Sequence, residues 1–260
     1  MALDGITVSS VVKELSAQFT GARISKIAQP ESDELLLTLK SGRGGQARLL
    51  LSASASLPLI YITETNKPGP MTAPNFCMLL RKHVGNGKIT KIWQPGLERI
   101  IHFEIEHYDD MGDICHKDLI LELMGKHSNI IFCDENQTII DSIKHISAQT
   151  SSVREVLPGR TYFIPQTQHK CDPLHTTQEE FQNEVFSKPM PLSKAIYSSY
   201  TGISPVIAEE LCHRASLESG QSANSITTME RIHLFHIFSH LMEDVSEGNF
   251  TPCIIYDEHH

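Results

Sequence analysis

The sequence predicts an α+β fold, with a largely antiparallel sheet domain in residues 1–170 followed by an all-helical domain in residues 171–248. Two patterns support this division. Short apolar runs with period-two alternation recur between turn residues up to about residue 143, which is typical of antiparallel strands. Beyond residue 171, apolar residues recur at helical spacing and capping signals precede them. A chain of 260 residues is long enough for two modest domains.

The first domain begins with an amphipathic helix, in which Val8, Leu15 and Phe19 recur at helical spacing. A second helix is predicted from Pro74 to His83, because Pro is well tolerated in a first helical turn. Turn residues bound nine predicted strands. These are Arg23–Gln29, Glu34–Leu39, Ala47–Leu51, Leu59–Thr63, Lys88–Gln94, Arg99–Tyr108, Asp118–Leu123, Asn129–Cys133 and Ile139–Ile143.

Within the strand Arg99–Tyr108, apolar residues alternate with His102, Glu104 and Glu106. This alternation predicts one buried face and one solvated face, with His102 on the solvated face. No internal repeat is recognised in the sequence.

The second domain carries clear helix signals. Thr177 and Glu180 have the spacing of a capping box, and Ser204 followed by Pro205 suits the start of another helix. Four helices are predicted: one that follows this capping box and includes Phe181 and Val185, then Leu192–Tyr200, Val206–Ala215 and Thr227–Glu247. Residues 249–260 are predicted to return as a strand, Thr251–Tyr256, that can join the sheet of the first domain.

The net charge of −9 is distributed unevenly along the chain. Residues 1–170 hold 18 basic and 18 acidic side chains, whereas residues 171–260 hold 4 and 13. Nucleic-acid binders typically carry a basic stripe. The acidic last third is therefore not expected to bind phosphates, while the neutral first part can carry a local basic patch.

Six scattered cysteines without any CxxC pair favour reduced thiols over disulfides or a zinc site. The first residues contain no signal peptide pattern, and no apolar run has the length of a membrane span. We expect a cytoplasmic protein. No catalytic or phosphate-loop motif is present, so neither a cofactor nor a metal ion is predicted.

Two turns concentrate functional groups. The segment Glu122–Ile131 places Gly125, Lys126, His127, Ser128 and Asn129 between two strands, more polar groups than a connecting turn needs. An ordinary turn is the alternative reading.

Glu98 and Arg99 precede another strand, where an exposed ion pair of little energetic value is the alternative reading. Arg81 and Lys82 end a helix, a place that cations favour because of the helix dipole.

Several stretches, in this order along the chain, resemble the N-terminal part of the NFACT family. They are residues 21–27, 75–82, 94–101, 122–131, 140–145 and 158–162. The family includes bacterial ribosome-quality-control factors and proteins described as fibronectin- or fibrinogen-binding. The stretch Met124-Gly125-Lys126-His127-Ser128-Asn129 is the most specific of these matches.

The resemblance implies a sheet domain related to the N-terminal fold of formamidopyrimidine-DNA glycosylase, together with a helix–hairpin–helix domain that includes residues 200–205. It also implies binding to obstructed large ribosomal subunits carrying peptidyl-tRNA, recruitment of alanyl-tRNA, and promotion of C-terminal alanine tailing without being itself a catalyst.

The implied tRNA-binding residues are Glu98, Arg99, Lys126, His127 and Asn129. The family's acidic–Arg pair usually reads Asp-Arg, so Glu98 departs from it by one methylene. Arg99 is expected to be the most sensitive RNA contact, with Glu98 orienting it and the pair exposed to solvent.

Two other functions were weighed. DNA glycosylase chemistry needs an N-terminal nucleophile, usually a proline amine, which the start Met1-Ala2-Leu3-Asp4 does not offer. We therefore expect no lesion excision. The remaining alternative is a surface-associated adhesin for fibronectin or fibrinogen, in which the acidic helical face attracts basic regions of a matrix protein.

Overall fold

A computed structural model describes residues 3–42, 45–165, 169–253 and 256. The chain divides into two compact units. Among the described residues, the sheet unit contains 3–4 and 11–169, and the helical unit contains 5–10 and those from 170 onward.

The sheet unit contains nine strands and most of two helices among its described residues. In chain order they are α1 (Gly5–Phe19), β1 (Arg23–Ala28), β2 (Glu34–Lys40), β3 (Gln46–Ser52), β4 (Leu59–Thr63), α2 (Asn75–Val84), β5 (Lys88–Trp93), β6 (Ile100–Tyr108), β7 (Ile114–Glu122), β8 (Asn129–Asp134) and β9 (Ile139–Ser142). Every predicted strand and helix of this part is present. The largest difference is that β7 begins at Ile114 rather than Asp118.

All nine strands form one antiparallel sheet in the order β4-β3-β2-β1-β5-β6-β7-β8-β9. This order contains the same unit twice. The first repeat is α1 followed by β1–β4, and the second repeat is α2 followed by β5–β8. The two repeats meet in the middle of the sheet, where Arg23 of β1 pairs with Lys88 of β5.

Backbone hydrogen bonds relate the two repeats about a local two-fold axis. The Gly21 amide donates to the Ile89 carbonyl at 2.7 Å, and the Asn86 amide donates to the Ile24 carbonyl at 2.9 Å. Gly21 and Asn86 therefore occupy corresponding positions, and both have left-handed backbone conformations, with φ of 88° and 63°.

The strands that follow correspond in detail. β1 has a bulge between Ile24 and Lys26, and β5 has one between Ile89 and Lys91. The hydroxyl groups inside these two bulges also act alike. Ser25 Oγ donates to a carbonyl of β2 at 3.0 Å, and Thr90 Oγ1 donates to a carbonyl of β6 at 3.1 Å.

The expectation of no internal repeat was therefore wrong. The two repeats share hydrogen-bond geometry and apolar spacing rather than residue identities, so the repetition is clearest in the backbone.

One face of the second repeat is covered by the irregular segment 143–165. A cluster of buried residues joins the sheet to this segment: Ile100, Ile120, Ile131, Cys133, Ile139, Val156 and Tyr162. Burial raises the pKa of the Cys133 thiol to about 12. His102 lies on this face and is only 4 % exposed. Its predicted solvated position was wrong, because alternation along one strand does not reveal a covering segment.

The helical unit packs four helices around aromatic side chains. They are α3 (Gln178–Phe186), α4 (Leu192–Ser199), α5 (Pro205–Arg214) and α6 (Thr228–Glu247). The ring centroids of Phe181 and Phe238 are 4.7 Å apart, and those of Tyr200 and Phe238 are 5.0 Å apart. The predicted capping box at Thr177 is present, and Ser204 accepts a hydrogen bond from the Ile207 amide.

Two expectations for this part are corrected. α4 packs against α3 and α5, and α6 packs against α3 and α5, so the four helices form one core. The unit is therefore described as all-helical, and a helix–hairpin–helix domain is not identified among the described residues. The predicted returning strand is absent at residues 251–253, and residues 254, 255 and 257–260 lie outside the described residues.

Candidate functional site

Three turns meet at one end of the sheet unit, and we call them the turn cluster: residues 94–99, 124–128 and 143–145. The Leu123 amide donates to the Arg99 carbonyl at 2.8 Å, which places the first turn beside the second. The Ile143 amide donates to the Ile130 carbonyl at 2.8 Å, which brings the third turn to the same end.

Arg99 is half-buried at the base of the first turn. Among the described residues, its guanidinium forms no ion pair or side-chain hydrogen bond. Glu98 is also half-buried. Its backbone helps to hold the turn, since the Gln94 side chain donates to the Glu98 carbonyl at 2.8 Å. The turn backbone therefore positions Arg99 at the start of β6.

Lys126 and His127 are exposed on a single 3₁₀ turn, Gly125–His127. The Met124 amide donates to Ser128 Oγ at 2.8 Å, which closes the base of this turn. Lys126 has no ion-pair partner within the part of the chain that the structure describes. Two unneutralised cations, Arg99 and Lys126, thus lie at the same end of the sheet.

Asn129 was expected to contact RNA directly, but the structure buries it, with 2 % of its surface exposed. Its Nδ2 donates to the Lys144 carbonyl at 2.9 Å, and its Oδ1 accepts from the Lys144 amide at 3.1 Å. The amide is therefore used within the protein, where it fixes the third turn against β8. In this structure, Asn129 therefore positions the third turn.

Lys144 was not singled out by the sequence analysis. Its Nζ donates to the Ala53 carbonyl and, at 3.2 Å, to the Ser128 carbonyl, so it ties the end of β3 to the second and third turns. It falls within the matched stretch 140–145, and that was the only signal in the sequence for it.

Beneath the turn cluster, Glu122 is fully buried and holds the covering segment. Arg154 Nη2 donates to Glu122 Oε2, and Tyr162 Oη donates to Glu122 Oε1 at 3.0 Å. Burial, followed by the nearby Glu122 carboxylate, raises the pKa of Tyr162. Glu122 ends β7, directly before the second turn, so this network anchors the base of the turn cluster.

A second buried polar group lies farther along the same face. His102 Nδ1 and Asp118 Oδ2 are 2.7 Å apart, and the Trp93 ring stacks on His102 with centroids 4.3 Å apart. Gln137 donates to Asp118 Oδ2 at 3.3 Å. Nε2 of His102 and Oδ1 of Asp118 have no hydrogen-bond partner among the described residues. The part of the chain that the structure describes includes no group of three or more His, Cys, Asp or Glu side chains that could hold a metal ion.

The turn cluster can therefore offer exposed donors and two cations that have no ion-pair partner in the described part of the chain, a combination suited to anionic oxygens such as phosphates. Among the described helices, none is long and apolar enough to cross a membrane.

Comparison with known proteins gives the family. The sequence model of the NFACT N-terminal and middle domains matches residues 4–260. The Rqc2 homolog RqcH of Bacillus subtilis is 37% identical over 255 residues, which cover 98% of this chain and 43% of that protein. The human ribosome quality control complex subunit NEMF is 26% identical over 220 residues, 84% of this chain and 19% of that protein. The chain thus spans less than half the length of these relatives.

Solved structures agree with this relationship. The fibrinogen binding protein from Staphylococcus aureus has a TM-score of 0.79 and 31% identity, covering 94% of this chain and 83% of that one. The N-terminal part of the fibronectin/fibrinogen-binding protein from Streptococcus suis has a TM-score of 0.75 and 32% identity, covering 90% of this chain and 84% of that one.

Formamidopyrimidine-DNA glycosylase structures reach TM-scores of at most 0.47 at 11–13% identity, a level too weak to carry an argument. On the full-length family match and the relatives together, the chain belongs to the NFACT family and is related to ribosome quality control proteins.

Proposed function

We propose that this chain is the RNA-binding N-terminal part of a ribosome quality control factor. In this proposal it works in the cytoplasm, binds obstructed large ribosomal subunits together with tRNA, and helps to promote C-terminal alanine tailing of stalled nascent chains. It is not itself a catalyst. The observation that carries the proposal is the turn cluster, in which Arg99 and Lys126, neither with an ion-pair partner among the described residues, lie at one end of the sheet.

The chemistry of these side chains fits RNA. A guanidinium offers a planar fork of donors that matches phosphate oxygens or a base edge, and Arg99 has no internal partner among the described residues. Exposed Lys126 and His127 can contact phosphates and 2′-hydroxyl groups beside it.

The sheet unit is close to neutral overall, since residues 1–170 hold equal numbers of basic and acidic side chains. Binding by this chain is therefore expected to be modest and dependent on RNA shape. In the longer relatives, additional segments can raise the overall affinity through simultaneous contacts.

Co-sedimentation with purified large ribosomal subunits tests the proposal. We expect this chain to bind subunits that carry peptidyl-tRNA more tightly than vacant subunits. Arg99→Ala should weaken this binding by about one to two decades, because a charge-assisted hydrogen bond is worth roughly 1.5–3 kcal/mol. Lys194→Ala is the matched control, since it removes one exposed cation from the helical unit. Equal binding to both kinds of subunit would contradict the proposal.

The names of the two structural relatives favour one alternative, a fibronectin- or fibrinogen-binding adhesin. Surface plasmon resonance against fibronectin at low and at physiological salt separates the cases. Under our proposal the signal is non-saturating and fades with salt, because long-range attraction between exposed charges is screened. A saturable, salt-resistant isotherm would favour the adhesin.

The absence of catalysis is tested with damaged-base duplexes. We expect the purified chain to leave them uncut. Lesion excision followed by strand cleavage would show that it is an enzyme.

A further inference from the structure

A row of like charges crosses the centre of the sheet. Arg23 of β1 pairs in register with Lys40 of β2 on one side and with Lys88 of β5 on the other. Directly opposite residues of antiparallel strands project from the same face with Cβ atoms about 5 Å apart, and like charges in this arrangement are destabilising. This row therefore lowers the stability of the fold, and its presence points to another role.

Cations at corresponding positions of the two repeats lie opposite different kinds of residue. Arg23 and Lys26 of the first repeat correspond to Lys88 and Lys91 of the second. In the second repeat, Lys88 lies opposite Glu106 and Lys91 lies opposite Glu104, with Lys91 Nζ 3.9 Å from the Glu104 carboxylate.

In the first repeat, Arg23 lies opposite Lys40, and Lys26 lies opposite Thr38. Within the described residues, none of these three cations has an ion-pair partner. The cations of the second repeat therefore lie opposite carboxylates of β6, whereas the corresponding cations of the first repeat lie opposite no carboxylate of β2.

A depression of about 350 Å³ lies between β1 and the end of α2, and Lys26 is the one of these three cations that lines it. Lys26 and Arg81 both line it, together with Asn86. Arg81 Nε donates to the Ile27 carbonyl at 2.9 Å, and one Arg23 amino group donates to the Asn86 carbonyl at 3.1 Å. Each guanidinium is thereby anchored to the backbone and keeps further N–H groups for a ligand.

Arg81, the second cation that lines the depression, has no basic counterpart in the other repeat. The Gly85 amide donates to the Arg81 carbonyl at 3.2 Å, and the Thr20 amide donates to the Ser16 carbonyl at 3.1 Å, so Ser16 of α1 corresponds to Arg81 of α2. The basic depression is therefore built on one side of the local two-fold axis.

We propose that Arg23, Lys26, Lys40 and Arg81, which we call the β1 surface, bind the phosphate backbone of RNA. This second contact rests on the proposed function and extends it beyond the turn cluster. Several closely spaced, unneutralised cations suit a polyanion, and guanidinium forks suit phosphate oxygens in particular. Such contacts position an RNA without reading its sequence.

Fluorescence anisotropy with labelled tRNA, across a range of KCl concentrations, tests this surface. The variant is Arg23→Gln with Lys26→Gln, and the matched control is Lys88→Gln with Lys91→Gln, which removes the same charge from corresponding positions. We expect the first variant to bind tRNA about ten to a hundred times more weakly and to flatten the salt dependence by roughly two phosphate contacts. The control should change affinity by less than about threefold.

The outcomes separate the two proposals. If the unaltered chain does not bind tRNA, both fail. If it binds, and the Arg23/Lys26 variant binds like the unaltered chain or like the control, only the β1 surface fails, and its charge serves another partner such as an acidic protein. Circular dichroism checks folding. Lys26→Gln alone provides the same test if the double variant is unfolded, because no hydrogen bond of the described residues involves the Lys26 side chain.

Discussion

The two repeats of the sheet unit share a backbone plan but differ in what they place on one face. In the first repeat, Leu36, Leu50 and Ser52 lie there, and in the second repeat the corresponding residues are His102, Ile120 and Glu122. Since the first repeat forms the same strands without ionisable groups at these positions, the fold itself does not require them. We infer that the polar groups of the second repeat serve to position the covering segment and the turn cluster.

The largest difference between the repeats in stability lost on mutation is expected at the ends of β3 and β7. Glu122→Ala should destabilise the protein by about 3–5 kcal/mol, because it leaves Arg154 with a nearly buried, uncompensated charge. Ser52→Ala, at the corresponding position, should cost about 1 kcal/mol, since its hydroxyl accepts a single hydrogen bond among the described residues, from the Ser54 amide. Urea denaturation followed by circular dichroism measures both, and equal losses would remove the distinction between the repeats.

A smaller loss of stability is expected when His102 is replaced by leucine, the residue at the corresponding position 36 of the first repeat. His102→Leu should cost about 1–3 kcal/mol, because Asp118 then loses its closest hydrogen-bond partner while remaining 4 % exposed. Adding Asp118→Leu should recover most of this loss, since replacing a buried polar pair by apolar side chains is often close to neutral. Thermal denaturation of the single and double variants decides the point. A double variant that is less stable than His102→Leu would show that the pair stabilises the fold.

The two left-handed positions give a finer comparison. Gly21→Ala should cost about 1–2 kcal/mol, because an L-residue with a Cβ is strained at φ of 88°. No atom of the described residues obstructs a Cβ there, so the cost is one of backbone conformation. Gly21→Asn should cost about half as much, since Asn tolerates this region and Asn86 adopts it in the other repeat. If the two variants have equal chemical denaturation midpoints, the positions are not equivalent.

The smallest expected effect is on the pH dependence of stability, through His83 of the second repeat. Burial, with help from Lys82 and Lys117, lowers the pKa of His83 below its ordinary value of 6.5. As the pH falls through 6.5, the unfolded chain takes up the proton first, so the contribution of His83 to stability is full above pH 6.5 and decreases below it.

His83→Gln introduces the residue found at the corresponding position of α1, Gln18. It should make the difference between stability at pH 7.5 and at pH 5.5 smaller than in the unaltered protein. Denaturation midpoints at the two pH values measure this difference, and an unchanged difference would exclude His83 as its source.

Much of the fold could be predicted from the sequence, because the alternation of apolar residues and the turn residues mark every strand of the sheet. The internal repeat and the burial of His102 could not be predicted. Both depend on residues far apart in the chain, such as the covering segment that buries His102.

The candidate site was predicted in part. The turns that carry Arg99, Lys126 and His127 were singled out in the sequence, and the structure shows that they lie side by side at one end of the sheet. It places Asn129 inside the protein, because its amide matches the backbone of Lys144, which is 15 residues away in the chain. The roles of Lys144 and Glu122 likewise depend on partners that spacing along the sequence does not reveal.

Recruitment of labelled alanyl-tRNA to obstructed large ribosomal subunits tests the central claim most directly. The account predicts that this chain increases the amount of alanyl-tRNA bound, and that a folded Glu98→Ala/Arg99→Ala variant reduces the increase by at least about tenfold. Normal recruitment by that folded variant would contradict the assignment of the turn cluster as the RNA contact.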